Sequence, residues 1–165
     1  MTLYADYWRD ARVKGDEIPW SFSPAAGVQR KILERDGAEV ARATTIVRFE
    51  KAASFPEHVH GDGEEFLVLD GIFSDENGDY PAGTYVRNPD GSRHKPYTKE
   101  GCTIFVKLRQ IHPQDHTYVT KNTSQDAWSK TAVNGLDYLP LHLFASENVA
   151  LIRTVNKTLL WEQNF

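Results

Sequence analysis

The stretch His58-Val59-His60-Gly61-Asp62-Gly63-Glu64-Glu65-Phe66-Leu67-Val68-Leu69-Asp70-Gly71 decides how this chain folds. In a strand, residues i and i+2 share a face, so His58 and His60 present two imidazoles to one point while Val59 faces away. Gly61-Asp62-Gly63 turns the chain, and just beyond Glu64 begins an apolar run from Phe66 to Leu69. A hairpin at that turn is expected to bring Glu64 back beside the two histidines. A second stretch, from Gly83 to Pro89-Asp90-Gly91-Ser92-Arg93-His94, adds a further imidazole. Imidazole nitrogens with one carboxylate suit Zn, Fe, Ni, Mn or Co rather than Mg or Ca.

The two stretches resemble the paired motifs of the cupin superfamily. The first motif runs from Ala52, where glycine is usual, through His58, His60 and Glu64 to Gly71; its spacing to Gly71 selects Glu64 rather than Glu65 as the ligand. The second is matched by Gly83, Pro89, Gly91 and His94, with Thr98 where asparagine is usual. Gly63 to Gly71, Phe73-Ser74-Asp75-Glu76, Gly83-Thr84-Tyr85-Val86-Arg87-Asn88-Pro89, Glu100-Gly101-Cys102-Thr103 and Val106-Lys107-Leu108-Arg109-Gln110 narrow the resemblance to the ChrR-type cupins. That subfamily includes the cupin domain of zinc anti-sigma factors and, more distantly, acetylacetone-cleaving dioxygenases. The resemblance implies an all-β jelly-roll barrel and one divalent transition metal on His58, His60, Glu64 and His94. Zinc is the first expectation, with Fe(II), Ni(II) or Mn(II) as alternatives. The acetylacetone-cleaving relatives use three histidines without the glutamate, so Glu64 draws this chain toward the zinc-binding side.

Composition narrows the class. The chain has 165 residues, 40% hydrophobic and 25% charged, which fits one globular domain and is too apolar for disorder. A net charge of −4 supplies no basic footprint for nucleic acid or an acidic membrane. No run is long enough to span a bilayer, and the opening residues do not resemble a signal peptide. The lone Cys102 excludes an internal disulfide and fits a reducing cytoplasm, where it reads as a small buried hydrophobe. His112, His116 and His142 read as ordinary core or surface histidines, and Glu57 and Glu65 as a solvated or ligand-supporting pair.

Strands are expected at Val40–Phe49, Glu65–Gly71, Gly83–Arg87 and Thr103–Leu108, from β-branched content and flanking turns. Asn77-Gly78 signals a hairpin, and Pro89-Asp90-Gly91 a turn that sets His94 just beyond it. The expected organisation is one domain over 1–165: a core at 31–112, a polar connection at 113–133 and C-terminal strands at 134–165. Trp128-Ser129, Gly135-Leu136, Leu141 and Glu147 repeat Trp20-Ser21, Gly27-Val28, Leu33 and Glu39 at one offset, and Ile152-Arg153 matches Val47-Arg48 after a three-residue slip. In that register Gln163 falls opposite His58 and Phe165 opposite His60. The tail thus reads as the opening strands of a second cupin copy. Its apolar residues, Leu139 to Trp161, are expected to cover the barrel or a partner in a homodimer.

Four protein ligands leave one or two positions on a five- or six-coordinate ion. The function expected is a metal-dependent dioxygenase or oxidoreductase on a small oxygenated molecule, with Tyr85, Arg87 and Lys107 as candidate pocket residues. The alternative is a non-catalytic zinc-binding sensor of the ChrR type. Residues 1 to 30 contain no His or Cys, so the zinc module that precedes the cupin in the anti-sigma factors has no counterpart there.

Overall fold

The computed structural model describes residues 2–38 and 40–154. In chain order the strands are β1 (Thr2–Leu3), β2 (Ser21–Phe22), β3 (Val28–Gly37), β4 (Ala41–Phe49), β5 (His58–Val59), β6 (Glu64–Asp75) and β7 (Gly78–Pro81). They continue as β8 (Thr84–Asn88), β9 (Arg93–His94), β10 (Cys102–Leu108), β11 (Val119–Asn122), β12 (Ser129–Lys130), β13 (Leu136–Phe144) and β14 (Glu147–Thr154). No helix occurs among the described residues, and none is long and apolar enough to cross a membrane. By contacts the chain divides into two compact units, Met1–Thr120 and Lys121–Phe165, with β11 straddling the boundary.

In the first unit the main sheet runs β1-β3-β4-β10-β6-β8, with β2 on β3 and β7 on β6, and these strands pair antiparallel. Antiparallel strands with one face on the core alternate apolar-in and polar-out. Thus β10 buries Cys102, Ile104 and Val106, and β6 buries Phe66 and Val68 against them. With Val28, Phe49, Phe73, Tyr80 and Val86 these residues form one core cluster. Cys102, a free thiol 3% exposed, packs in that cluster as the sequence suggests, and burial pushes it up to about 11.

Two features of β6 were not expected. The strand runs on to Asp75, past Gly71, and it carries a bulge: Ile104 pairs with Val68 and Thr103 with Asp70, which leaves Leu69 without a partner on β10. An inserted residue reverses the alternation beyond it. Glu64, Phe66 and Val68 face the core before the bulge; Phe73 and Asp75 are brought to that side after it. Gly71, at φ 73°, follows the bulge, and a Cβ there would lie 2.2 Å from the Gly101 carbonyl oxygen. That close backbone approach is the physical reason for glycine at this motif position. The hairpin into β7 closes through Glu76-Asn77, with Asp75 paired to Gly78.

β3 was missed entirely as a strand. Its residues are half-buried on nearly every position, so Gln29, Arg30, Lys31 and Glu34 hide the alternation. The stretch 113–133, expected to be an irregular connection, carries β11 and β12.

The second unit repeats part of the first in its internal pairing. β2–β3 pairs Ser21 with Arg30 and Phe22 with Gln29; β12–β13 pairs Ser129 with Tyr138 and Lys130 with Asp137. β3–β4 pairs Val28 with Phe49 and Arg30 with Val47; β13–β14 pairs Leu136 with Thr154 and Tyr138 with Ile152. Even the irregularity recurs, between Ile32 and Glu34 and between Pro140 and His142. Arg48 stacks on Trp20 at 4.2 Å and bonds to Gln29; Arg153 stacks on Trp128 at 4.4 Å and bonds to Asp137. Gln163 and Phe165, like Leu159, Leu160 and Trp161, lie outside the described residues.

Candidate metal centre

The two histidine-bearing stretches pair with each other. β5 and β9 form a two-stranded ladder in which His58 faces His94 and Val59 faces Arg93, and it continues as His60 N–H donates to the Ser92 carbonyl. The expected hairpin between the histidines and Glu64 therefore does not form. Asp62 and Gly63, at φ 54° and 74°, instead swing the chain into β6, which delivers Glu64 from a different sheet. Gly63 is needed there, since a Cβ would lie 2.6 Å from Ile111 Cδ1.

The structure brings His58, His60, Glu64 and His94 together, with one donor atom of each within 4.8 Å of the others. The imidazole centroids are 4.6, 4.9 and 5.0 Å apart. Glu64 Oε1 stands 3.6 Å from His60 Nε2 and 3.5 Å from His94 Nε2. Both separations exceed a good hydrogen bond. They match the spacing of about 3.4 Å expected between tetrahedral ligands each about 2.1 Å from one ion.

Tautomers follow from the partners of the other ring nitrogens. His58 Nδ1 lies 2.9 Å from the Pro56 carbonyl, which can only accept. His60 Nδ1 lies 2.9 Å from Ser92 Oγ, whose own proton is given to the Pro89 carbonyl at 2.6 Å, so the imidazole donates. His94 Nδ1 lies 3.2 Å from Asp75 Oδ2. Each neutral ring then turns an Nε2 lone pair toward the centre, the arrangement that orients histidine ligands. His60 Nε2 is buried and has no hydrogen-bond partner. An orphaned buried nitrogen of this kind fits a metal, which would use that lone pair.

Without an ion, the electrostatics are those of donors held ready. Burial, then the neighbouring His94 and His58, pushes His60 down to about 3. Burial likewise lowers His58. Burial pulls His94 down too, but Asp75 and Glu64 more than offset it and the net direction is upward. Burial raises Glu64. Burial would raise Asp75 as well, yet hydrogen bonds from His94, the Asn77 amide and Tyr80 hold it below the usual range. In the sequence Asp75 counts toward the family resemblance; the bulge at Leu69 is what carries it to His94. Ser92, between Gly91 and Arg93, was likewise passed over.

Tyr85, Arg87 and Lys107 are also brought together, but on the opposite face of β6. They converge on Glu65: Tyr85 donates at 2.7 Å, Arg87 Nη1 at 2.8 Å and Lys107 Nζ at 2.7 Å. Arg87, fully buried, also bonds Asp115 Oδ2 through Nε and Nη2. None of the three lines the cavity beside the histidines, because Arg87 and Lys107 pair directly with Glu65 and so share its side. Glu65 itself is 3% exposed, so it is no solvated residue; Glu57 is exposed. Thr98, in the usual asparagine position, is buried and joins the Ile72 carbonyl to the Gly101 amide.

His58, Glu64 and His94 line a cavity of about 200 Å³. Its walls are apolar, with Val47, Phe49, Phe55, Phe73, Ile104 and Leu108 prominent, and Arg30 also lines it.

The fold and the three-histidine, one-carboxylate cluster define a metal-binding cupin. The chain belongs to the ChrR cupin-like domain family, which residues 9–112 match. No curated protein matches it significantly. Among solved structures, ChrR bound to SigE from Rhodobacter sphaeroides aligns at 23% identity over 58% of this chain and 50% of that chain, with a TM-score of 0.48. The chain thus spans half the length of that relative. A proposed acetylacetone dioxygenase from Methylibium petroleiphilum PM1 aligns at 19% identity over 74% of this chain and 96% of that one, with a TM-score of 0.56. An RmlC-like cupin from Ralstonia eutropha JMP134 aligns at 17% over 70% and 81%, with a TM-score of 0.55. The last two likenesses show the cupin fold.

Proposed function

We propose that this chain holds one divalent transition metal through His58, His60, Glu64 and His94 and acts as a dioxygenase or related oxidoreductase on a small oxygenated organic molecule. The observation that carries the reading is the apolar cavity lined in part by three of the four ligands. A purely structural ion is closed off by its ligands, whereas a catalytic one keeps a side open to substrate. A bound ion would polarise an oxygen donor as a Lewis acid and, if iron, nickel or manganese, would add redox chemistry with dioxygen. The chain's own residues do the rest. Ser92, Asp75 and Pro56 fix the imidazoles, while Phe55 and Phe73 exclude water from the cavity. Oxygen uptake by the iron-loaded protein, with diketones, hydroxyketones and catechols as substrates, tests the reading. Uptake with at least one class is expected; none with any metal or substrate removes the enzyme.

A second reading, a zinc-binding ChrR-like sensor without catalysis, is favoured by one feature: Glu64 completes a four-ligand set able to saturate zinc. Metal content of protein purified without added metal separates the two, iron favouring the first and zinc the second. Both readings place the protein in the cytoplasm, as the reduced Cys102 suggests. Both also include a homodimer and a second unit that is the opening of a further cupin copy. Leu143 and Ile152, 70% and 54% exposed, supply the apolar surface for assembly. Light scattering checks this, and a monomer at micromolar concentration removes it.

A further inference from the structure

Arg30 stands on the wrong side of its strand for an arginine. It lies two residues from Val28, on the same face of β3, and pairs with Val47, which in turn pairs with Ile104. Val28, Val47 and Ile104 line the cavity, and Arg30 lines it with them. Its Nε is buried without a hydrogen-bond partner. Burial, then the like charge of Arg35, lowers its pKa. A guanidinium is never deprotonated in such a site, so it keeps its charge and its donors. A half-buried guanidinium whose Nε is buried without a partner, set in an apolar wall, points to an anion that arrives with a ligand.

We propose that Arg30 is the anion-recognition residue of this cavity and that the molecule taken up is a small carboxylic acid. Its carboxylate pairs with the guanidinium while an oxygen at its other end faces His58, Glu64 and His94. The proposal rests on the reading of this cavity as a small-molecule site at the metal centre.

Size and charge together select the class. A cavity of about 200 Å³ is below the usual range for drug-sized ligands, which favours a small acid. One guanidinium matches one carboxylate in a two-bonded fork. A phosphate dianion would call for further cations, and among the described residues that line this cavity Arg30 is the only Lys or Arg. With the carboxylate on Arg30, the oxygenated end is left toward His58, Glu64 and His94. The apolar side chains of Val47, Phe49 and Ile104 suit a hydrocarbon segment between the two ends.

The test uses the cobalt(II)-loaded chain, titrated with C2–C6 monocarboxylates and oxo acids, 4-oxopentanoate among them, each against its methyl ester. Binding is read by calorimetry and by the visible absorption of cobalt. At least one acid is expected to bind tenfold or more tightly than its ester. Arg30→Gln is expected to abolish that preference while cobalt stoichiometry stays the same, and Arg30→Lys to restore part of it. Equal binding of acids by wild type and Arg30→Gln, or acids no tighter than esters, overturns the proposal. Silence of both readouts with every acid and ester overturns the small-molecule reading and this inference together. Heat with no cobalt response, lost in Arg30→Gln, keeps Arg30 as an anion site but refutes its link to the metal centre. A second variant guards against a purely structural role. Arg30→Met is expected to raise the melting temperature of ligand-free protein, since it removes a half-buried charge whose Nε has no partner. A lowered melting temperature would assign Arg30 to structure and overturn the proposal.

Discussion

Glu64 and Glu65 are neighbours in the chain and both are buried, yet they live in opposite electrostatic worlds. Glu64 faces three imidazoles and no cationic side chain, and burial raises its pKa. For Glu65 burial acts in the same direction, but Lys107, Tyr85 and Arg87 reverse it and hold the carboxylate below its usual range. The pleat of β6 separates the two by one residue and by the thickness of the sheet. On the Glu65 side every charge is matched within the protein, which makes a rigid, self-sufficient network. On the Glu64 side donors are oriented but unspent. A site that must accept something from outside has its donors left over, whereas a structural network has none.

The largest effect should come from breaking the satisfied side. Arg87→Met strips Glu65 and Asp115 of a shared buried partner and should cost about 3–5 kcal/mol in denaturant unfolding, as for other half-removed buried pairs. The folded fraction should still take up one metal per chain. A loss below about 1 kcal/mol would mean the network is not what holds that face. Next is the open side. Metal at one hundred times its dissociation constant adds about 2.7 kcal/mol, and Glu64→Gln should forfeit most of it while leaving metal-free stability equal or higher. The comparison fails if zinc and chelator shift the melting of variant and wild type equally.

Smaller still is the response to pH of the metal-free protein. His60 is neutral in the fold down to about 3, whereas the unfolded chain takes up its proton near 6.5. Its folded pKa is depressed, so its contribution is present above pH 6.5 and drains away as pH falls toward 3, at no more than about 1.4 kcal/mol per pH unit. The two glutamates should act in opposite senses. The contribution of Glu65, whose pKa is lowered, is lost on acidification, so Glu65→Gln should flatten the acid limb. Glu64, whose pKa is raised, contributes stability that is lost as pH rises and so opposes the acid limb; Glu64→Gln should steepen that limb. Unfolding curves from pH 7 to pH 4 on both variants decide this, and identical acid limbs would contradict it.

Much of the centre was legible because the His58-Val59-His60 alternation is local and because the spacing of the two cupin-like motifs selects Glu64 and His94. The hairpin expected at Gly61-Asp62-Gly63, by contrast, does not form. What escaped depends on register between strands distant in sequence. Asp75 lies eleven residues beyond Glu64, and strict alternation assigns it to the far side; only the unpaired Leu69 returns it to His94. The side taken by Tyr85, Arg87 and Lys107 is fixed by what they pair with on β6, which alternation within their own short strands leaves open. Arg30 was invisible because a strand as charged as β3 carries no apolar period to place it on.

The repeated strand-turn-strand unit has a consequence for how this chain finds its fold. Segments of like register in one polypeptide are rivals for the same berth, and such rivalry is a familiar source of swapped and misassembled states. The local lock, an arginine stacked on tryptophan, is the same in both copies and cannot tell them apart. Discrimination must come from the inward side chains. Seating the β13–β14 pair where β3–β4 belongs would put Tyr138 in the place of Arg30 and leave Thr154, a polar residue, where Phe49 anchors the core. The loss of that ring alone marks the wrong tenant, so fidelity of assembly and readiness of the cavity are written into the same few positions.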